Sequence, residues 1–142
     1  MRKAMTLLSL AVCACGSSSS DNLNAAIGKT WTGTTTFSVN GQNQGNSAGH
    51  LTVTVSGKTA NVTNVCPDGS VTITVSGSGN SATWSGVVMC TDPVSCGTLT
   101  LTYNSATLNL SSDNKTLTAD ASGTVSGCTW SNATLAVHFV GT

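Results

Sequence analysis

The stretch Leu51-Thr52-Val53-Thr54-Val55 places an apolar side chain at every second position, with threonine between. Successive side chains of a β-strand point to opposite faces, so this alternation predicts a strand with one buried face and one solvent-exposed face. Threonine on the solvent-exposed face keeps a high strand propensity without adding apolar surface. The same alternation recurs in residues 71–75, 99–103 and 135–139. The chain is therefore predicted to be built from strands.

Clusters of turn-forming residues separate these runs, at 40–49, 57–58, 67–69, 77–80 and 111–115. Serine and threonine are abundant and glutamate is absent, a composition that disfavours helices. Counting the runs predicts about eight to ten short strands. Their short connections imply antiparallel hairpins, so we expect an all-β fold that is a small antiparallel barrel or, as the alternative, a β-sandwich.

Between these two architectures, the start of the first run favours the barrel. Gly28-Lys29-Thr30-Trp31, which leads into a strand that reaches Val39, resembles the first strand of lipocalin-type barrels, although two residues instead of one separate the glycine from the tryptophan. The resemblance covers about a dozen residues and implies a barrel. It transfers no ligand-contact positions to this chain.

The N-terminal residues have the composition of a secretory signal. Arg2 and Lys3 supply a positive end, and residues 4–12 form an apolar run far shorter than the roughly 20 residues that span a bilayer. Val12, Ala14 and Cys15 resemble the lipobox of bacterial lipoproteins. The resemblance implies that residues 1–14 are a cleaved signal peptide and that Cys15, the first mature residue, carries fatty acyl chains that anchor the protein in a membrane.

Three segments are therefore expected. After the signal peptide 1–14, residues 15–27 are the lipidated cysteine and a tether, since 16–24 are almost wholly serine, glycine, asparagine and aspartate. Residues 28–142 are a single all-β domain. Gly16, where some inner-membrane lipoproteins carry aspartate, implies by the same resemblance an outer-membrane location in the cell envelope.

The charge of the mature chain argues against a nucleic-acid partner. After Cys15 there are three lysines and five aspartates, a net charge of −2, and no arginine. Proteins that bind DNA or RNA need clustered lysine and arginine to replace counterions. The expected partner is instead the membrane, through the lipid anchor.

The four other mature cysteines, Cys66, Cys90, Cys96 and Cys128, predict two disulfides in an oxidising envelope. Cys66 and Cys90 lie symmetrically about residue 78, and Cys96 and Cys128 about residue 112, both within or beside turn clusters. Hairpin geometry thus favours Cys66–Cys90 and Cys96–Cys128. The rival connectivity is a local Cys90–Cys96 bridge with Cys66–Cys128. A zinc site is not expected, because the paired CxxC spacing is missing.

One motif has the form of a catalytic sequence. Gly45, Ser47 and Gly49 fit GxSxG, and His50 follows directly. That motif needs a tight strand-to-helix turn that presents the serine, but residues 51–56 alternate as a strand. We therefore expect no catalytic serine here.

The remaining candidates are assigned structural roles. His138 lies at an outward position between Val137 and Phe139, and most of the domain's carboxylates fall in turns, with no spacing that pairs two of them. These carboxylates are Asp68, Asp92, Asp113 and Asp120. Similar tetrapeptides surround Trp31, Trp84 and Trp130, but their flanks do not repeat, so core or barrel-end tryptophans are favoured over a threefold repeat.

Taken together, these observations favour a membrane-anchored envelope lipoprotein whose β-domain is non-catalytic and serves in binding or structure, without a cofactor. Candidate ligands are a protein, a glycan or a small apolar molecule. Small cysteine-bridged β lipoproteins include inhibitors of lysozymes and proteases, which makes an inhibitor the alternative function, and a hydrolase is third. A hollow interior with an apolar mouth would favour ligand binding, whereas a protruding loop would favour inhibition.

Overall fold

The computed structural model describes residues 21–142, so the predicted signal peptide and Cys15 lie outside the described residues. The described part is almost entirely β-structure, and it has no helix long and apolar enough to cross a membrane. Its strands are β1 (Thr30–Val39), β2 (Gln42–Ser56), β3 (Thr59–Thr63), β4 (Ile73–Ser78), β5 (Ser81–Val94), β6 (Gly97–Leu110), β7 (Leu117–Gly127) and β8 (Trp130–Gly141).

The eight strands form a closed ring in which sequence order is also spatial order. Every neighbouring pair is antiparallel, and β1 pairs with β8 to close the ring. The all-β barrel is thereby confirmed, with a strand count at the lower end of the expected range, and the sandwich alternative is excluded. The repeating alternation explains this outcome, since each strand directs one face inward and one outward.

The hairpin connections divide the barrel into two ends. At the end that we call the mouth lie the turns 40–41, 95–96 and 128–129 and the loop 64–72. At the opposite end, the base, lie the turns 57–58 and 79–80, the loop 111–116 and the residues that precede β1.

The predicted turn cluster 40–49 is corrected by the structure. Only Asn40 and Gly41 form the turn, with φ angles of 50° and 77°, and β2 begins at Gln42. Asn-Gly is the favoured pair for a two-residue hairpin, because both positions need positive φ. The Asn40-Gly41 pair alone predicts the position of this turn. The serine and glycine residues of 43–49 also resemble a turn by composition, and for that reason the predicted turn cluster is too long.

Residues 22–27, which the sequence assigned to the tether, pack against the base. The backbone of Leu23 bonds to the Gly57 carbonyl at 2.8 Å, and Asn24 bonds to the Gly79 carbonyl at 2.7 Å. A short 3₁₀ helix, Ala25–Ile27, follows, with the Asn24 side chain as its cap. Leu23 and Ile27 are both buried. Two apolar residues in a polar stretch are thus enough to attach this segment, and it closes the base.

The core consists of two clusters, one at each end. The base cluster includes Ile27 and Trp31, and the mouth cluster includes Leu101, Val125 and Leu135. The alternating residues predicted to face inward in β2, β6 and β8 do so. Trp31 is fully buried, and Trp84 and Trp130 are partly buried against the clusters, in line with their interpretation as core or barrel-end residues.

Candidate functional site

A cavity of about 350 Å³ lies inside the barrel, between the two core clusters. All eight strands contribute to its wall, and its lining is mainly apolar. Sites for small molecules have volumes of roughly 300 to 1,000 Å³ and combine an apolar lining with a few polar groups. The apolar residues of the wall include Phe37, Leu51, Val62, Ile73, Val75, Leu108, Val137 and Phe139.

The cavity exists because the inward residues in the middle of the barrel are small. Along β7 the inward series begins with Leu117 at the base, continues through Ala119, Ala121 and Gly123, and ends with Val125 at the mouth side. Ala121 faces Ala106 of β6 across the ladder. Large side chains therefore fill both ends of the barrel, while the middle stays hollow.

The barrel wall has a slot beside the cavity. Strand β3 pairs with β2 only at residues 52–56, and β4 pairs with β5 only at residues 81–83. Within the described chain, residues 42–51 of β2 and 84–94 of β5 consequently have a ladder partner on one side only. The two short strands do not reach the mouth, and the loop 64–72 occupies the space that they leave.

A disulfide fastens this loop to the wall. Cys66, within the loop, bonds to Cys90 of β5, with 5.4 Å between their Cα atoms. Cys66 is buried and lines the cavity, as do the exposed loop residues Pro67 and Gly69 and the exposed Ser47 of β2. The cavity thus reaches the protein surface at the slot, beneath a loop that the disulfide holds in place.

The second disulfide joins Cys96 to Cys128, with 5.6 Å between their Cα atoms, and ties together two neighbouring turns at the mouth. The connectivity expected from hairpin symmetry is confirmed, and the Cys90–Cys96 bridge is not formed. The expectation that each pair joins the two opposite strands of a hairpin is incomplete, however. Cys66 lies in a loop and not in the ladder opposite Cys90, so the pair bridges the slot instead of two paired strands.

Near its mouth side the cavity wall includes two titratable side chains, those of Asp92 and Tyr103. Burial raises the pKa of Tyr103 to about 12, with a further contribution from the negative charge of Asp92. Every fully buried side-chain nitrogen or oxygen among the described residues has a hydrogen-bond partner, and no protein hydrogen bond contributes to the Tyr103 pKa. The Tyr103 hydroxyl therefore keeps its proton and faces open space, where it can donate to a ligand.

The GxSxG residues lie within a strand and not in a strand-to-helix turn. Gly45, Ser47 and Gly49 lie within β2, with no helix after them. Ser47 and His50 are both exposed and both belong to the cavity wall, but Ser47 lies opposite Thr35 at an inward position and His50 lies opposite Thr32 at an outward position. Because residues of opposite parity point to opposite faces of a strand, the structure does not direct His50 towards Ser47.

A second pair of titratable residues was missed by sequence reasoning. Asp120 of β7 and His138 of β8 are direct ladder partners on the outer face, with 2.6 Å between Oδ1 and Nδ1. His138 is solvent-facing, as predicted, and about half of each side chain is exposed. The hairpin symmetry used for the cysteines would have found this pair, since both residues are equally distant from residue 129.

The four carboxylates divide evenly between turns and strands, which corrects the expectation that most lie in turns. Asp68 and Asp113 lie in turns, where hydrogen bonds from Ser70 and Ser111 respectively lower their pKa values. Asp92 and Asp120 lie in strands. Among residues 21–142, no group of three or more histidine, cysteine or acidic side chains is arranged to hold a metal ion.

No protein-family model matches this chain, and no curated protein matches it.

Proposed function

We propose that the protein is an envelope lipoprotein whose barrel binds a small, mainly apolar ligand in its interior. The observation that carries this proposal is the cavity of about 350 Å³ that remains in the middle of a barrel otherwise filled at both ends. An empty apolar space costs stability, because its lining atoms lose dispersion contacts that a filled core would provide. A ligand would supply those contacts.

The placement of the chain's ends agrees with membrane anchoring. The residues that lead back towards Cys15 leave the barrel at the base, where Leu23 and Asn24 bond to the turns. The mouth and its slot lie at the other end. A lipid anchor on Cys15 would thus hold the base towards the membrane and leave the cavity open to ligands from the envelope.

Binding in the cavity is tested with the neutral apolar fluorophore N-phenylnaphthylamine, whose emission rises in an apolar site. The wild-type domain should bind it saturably with one site per chain. Ala121→Leu places a larger side chain in the cavity and should abolish this binding. Ala136→Leu is the matched control, because Ala136 is on the same hairpin but exposed on the outer face. Equal binding by both variants would refute the cavity as the site.

The anchor is tested separately by mass spectrometry of the mature N-terminus. We expect Cys15 as the first residue, with its mass increased by acyl chains. An unmodified N-terminus at another residue, in a protein released without detergent, would refute the lipoprotein assignment and leave the binding proposal standing.

A further inference from the structure

The charge inside the cavity has one sign. Of the titratable residues in the wall, His50 and Asp120 are exposed on the outer face, where Asp120 is paired with His138. Asp92 follows the buried Cys90 at the next inward position of β5, and its charge acts on the buried Tyr103. A carboxylate is therefore the charged group that meets a molecule inside the barrel.

The cations of the described chain are all far from the mouth. Lys29 directly precedes β1, Lys58 lies in the β2–β3 turn and Lys115 lies in the β6–β7 loop, so all three belong to the base. The mouth end instead carries Asp92 and, in the loop 64–72, Asp68. None of the lysines of residues 21–142 lines the cavity, and His50, the basic residue of its wall, lies at an outward position of β2.

The apolar and polar parts of the wall are also separated. The deep wall is formed by Leu51, Val75, Leu108 and Phe139, which belong to or pack against the base cluster. Asp92, Tyr103 and Asn64 lie towards the mouth. Tyr103 is 4% exposed as a residue and lines the same space, and no protein hydrogen bond contributes to the pKa of its hydroxyl.

From this arrangement, and resting on the proposed function, we propose that the ligand is an amphiphile with a cationic or hydrogen-bond-donating head group. Its apolar part lies at the base side, and its head group lies against Asp92, with the Tyr103 hydroxyl free to donate to an acceptor atom next to it. Anionic amphiphiles such as fatty acids are disfavoured, because their head group would meet a carboxylate of like charge with no cation nearby.

Three probes of equal chain length separate the contribution of the head group from that of the apolar tail. Octylamine is cationic at neutral pH, octanol is neutral and octanoate is anionic. Each is titrated against bound N-phenylnaphthylamine at neutral pH and low salt, with displacement as the readout. Octylamine should bind at least about tenfold more tightly than octanoate, with octanol between them.

Two variants separate contact with Asp92 from the general charge of the mouth. Asp92→Asn should bring the octylamine-to-octanoate ratio to within about threefold, with octanol affinity nearly unchanged. Asp68→Asn removes the same charge from the same end, but Asp68 does not line the cavity, so it should keep most of the preference.

The outcomes also distinguish this inference from the proposed function. Octanoate binding as tightly as octylamine, or an equal loss of preference in both variants, would overturn the inference while leaving cavity binding intact. Failure of octanol and of the fluorophore to bind the wild-type domain would overturn the proposed function itself, and the inference with it.

Discussion

The indole nitrogen of Trp31 donates a hydrogen bond of 2.9 Å to the carbonyl oxygen of Ile27, and both side chains are fully buried. This contact joins the first strand of the barrel to the segment that closes its base. Ile27 packs in the base cluster together with Leu23, Leu110 and Leu117. The segment before β1 is therefore part of the folded domain, and its stability contribution can be measured.

We expect Ile27→Ala to lower the free energy of unfolding by about 2–5 kcal/mol, the usual cost of truncating a buried isoleucine. Urea unfolding followed by tryptophan fluorescence measures this loss. Val140→Ala, at a partly exposed outward position, should cost less than about 1 kcal/mol and serves as the control. A chain that begins at Gly28 and unfolds at the wild-type urea concentration would contradict a structural role for this segment.

The sequence predicts the strands of this protein better than the space they enclose. Alternation in 51–55 or 135–139 needs only neighbouring residues, and it identifies the inward face directly. The cavity instead depends on which inward residues share a level of the barrel, such as Ala121 beside Ala106. The pairing register of all eight strands decides which inward residues are level with one another, and a local sequence pattern does not predict that register.

The same distinction applies to the individual sites. The Asp120–His138 pair follows from symmetry about a hairpin turn, and the same symmetry predicts the cysteine partners even though Cys66 lies in a loop outside the ladder. The slot exists because β3 and β4 are short. β3 ends at Thr63 and β4 begins at Ile73, and the sequence has no turn motif that marks these two positions. Asp92 enters the cavity because β5 continues past Cys90 to Val94, through residues that resemble a loop by composition.

The two disulfides should contribute similarly to stability but differently to ligand exchange. They close loops with separations of 24 and 32 residues, and this difference changes the chain-entropy contribution by only about 0.3 kcal/mol. Cys66→Ser/Cys90→Ser and Cys96→Ser/Cys128→Ser should each lower the free energy of unfolding by about 2–5 kcal/mol. Urea unfolding under identical buffer conditions makes the comparison.

Of the two double variants, only Cys66→Ser/Cys90→Ser should change the rates at which N-phenylnaphthylamine binds to the protein and dissociates from it. Cys66 lines the cavity and fastens the loop 64–72 across the slot, whereas Cys96–Cys128 joins two turns outside the cavity wall. Stopped-flow measurements should therefore show faster association and dissociation for Cys66→Ser/Cys90→Ser and wild-type rates for the other variant. Equal rates in both variants would place the entrance somewhere other than the slot.

We expect Ser47 to be unreactive towards a fluorophosphonate probe. Ser47 and His50 point to opposite faces of β2, so the histidine is not oriented to take the serine proton, and general-base activation needs that orientation. Ser47→Ala should change the free energy of unfolding by less than about 0.5 kcal/mol, since Ser47 is exposed. Intact-protein mass spectrometry reads the labelling directly. Stoichiometric modification of Ser47 that His50→Ala abolishes would show that Ser47 is an activated nucleophile and would contradict this prediction.

Tyr103 is the single tyrosine of the chain, so its ionisation can be followed without interference from another tyrosine. Burial raises its pKa from the ordinary value of 10.0 to about 12 in the folded protein. An alkaline titration monitored by near-ultraviolet absorbance should show tyrosinate forming with a midpoint near pH 12, while the urea-unfolded chain titrates about two units lower. A folded-state midpoint near pH 10 would show that the hydroxyl is not buried as described.

The same shift makes stability depend on alkaline pH, and the direction follows from proton binding. Above about pH 10 the unfolded chain releases the Tyr103 proton, but the folded protein retains it up to about pH 12, so raising the pH favours unfolding. The contribution of Tyr103 to the free energy of unfolding is fully present below about pH 10 and is lost by about pH 12. This loss lowers the free energy of unfolding by about 3 kcal/mol. The Tyr103→Phe variant lacks this proton. Over the same pH range its free energy of unfolding should therefore decrease less than that of the wild-type protein, by this amount. Urea midpoints of the two proteins at matched pH values provide the test, and parallel curves would rule out the raised pKa.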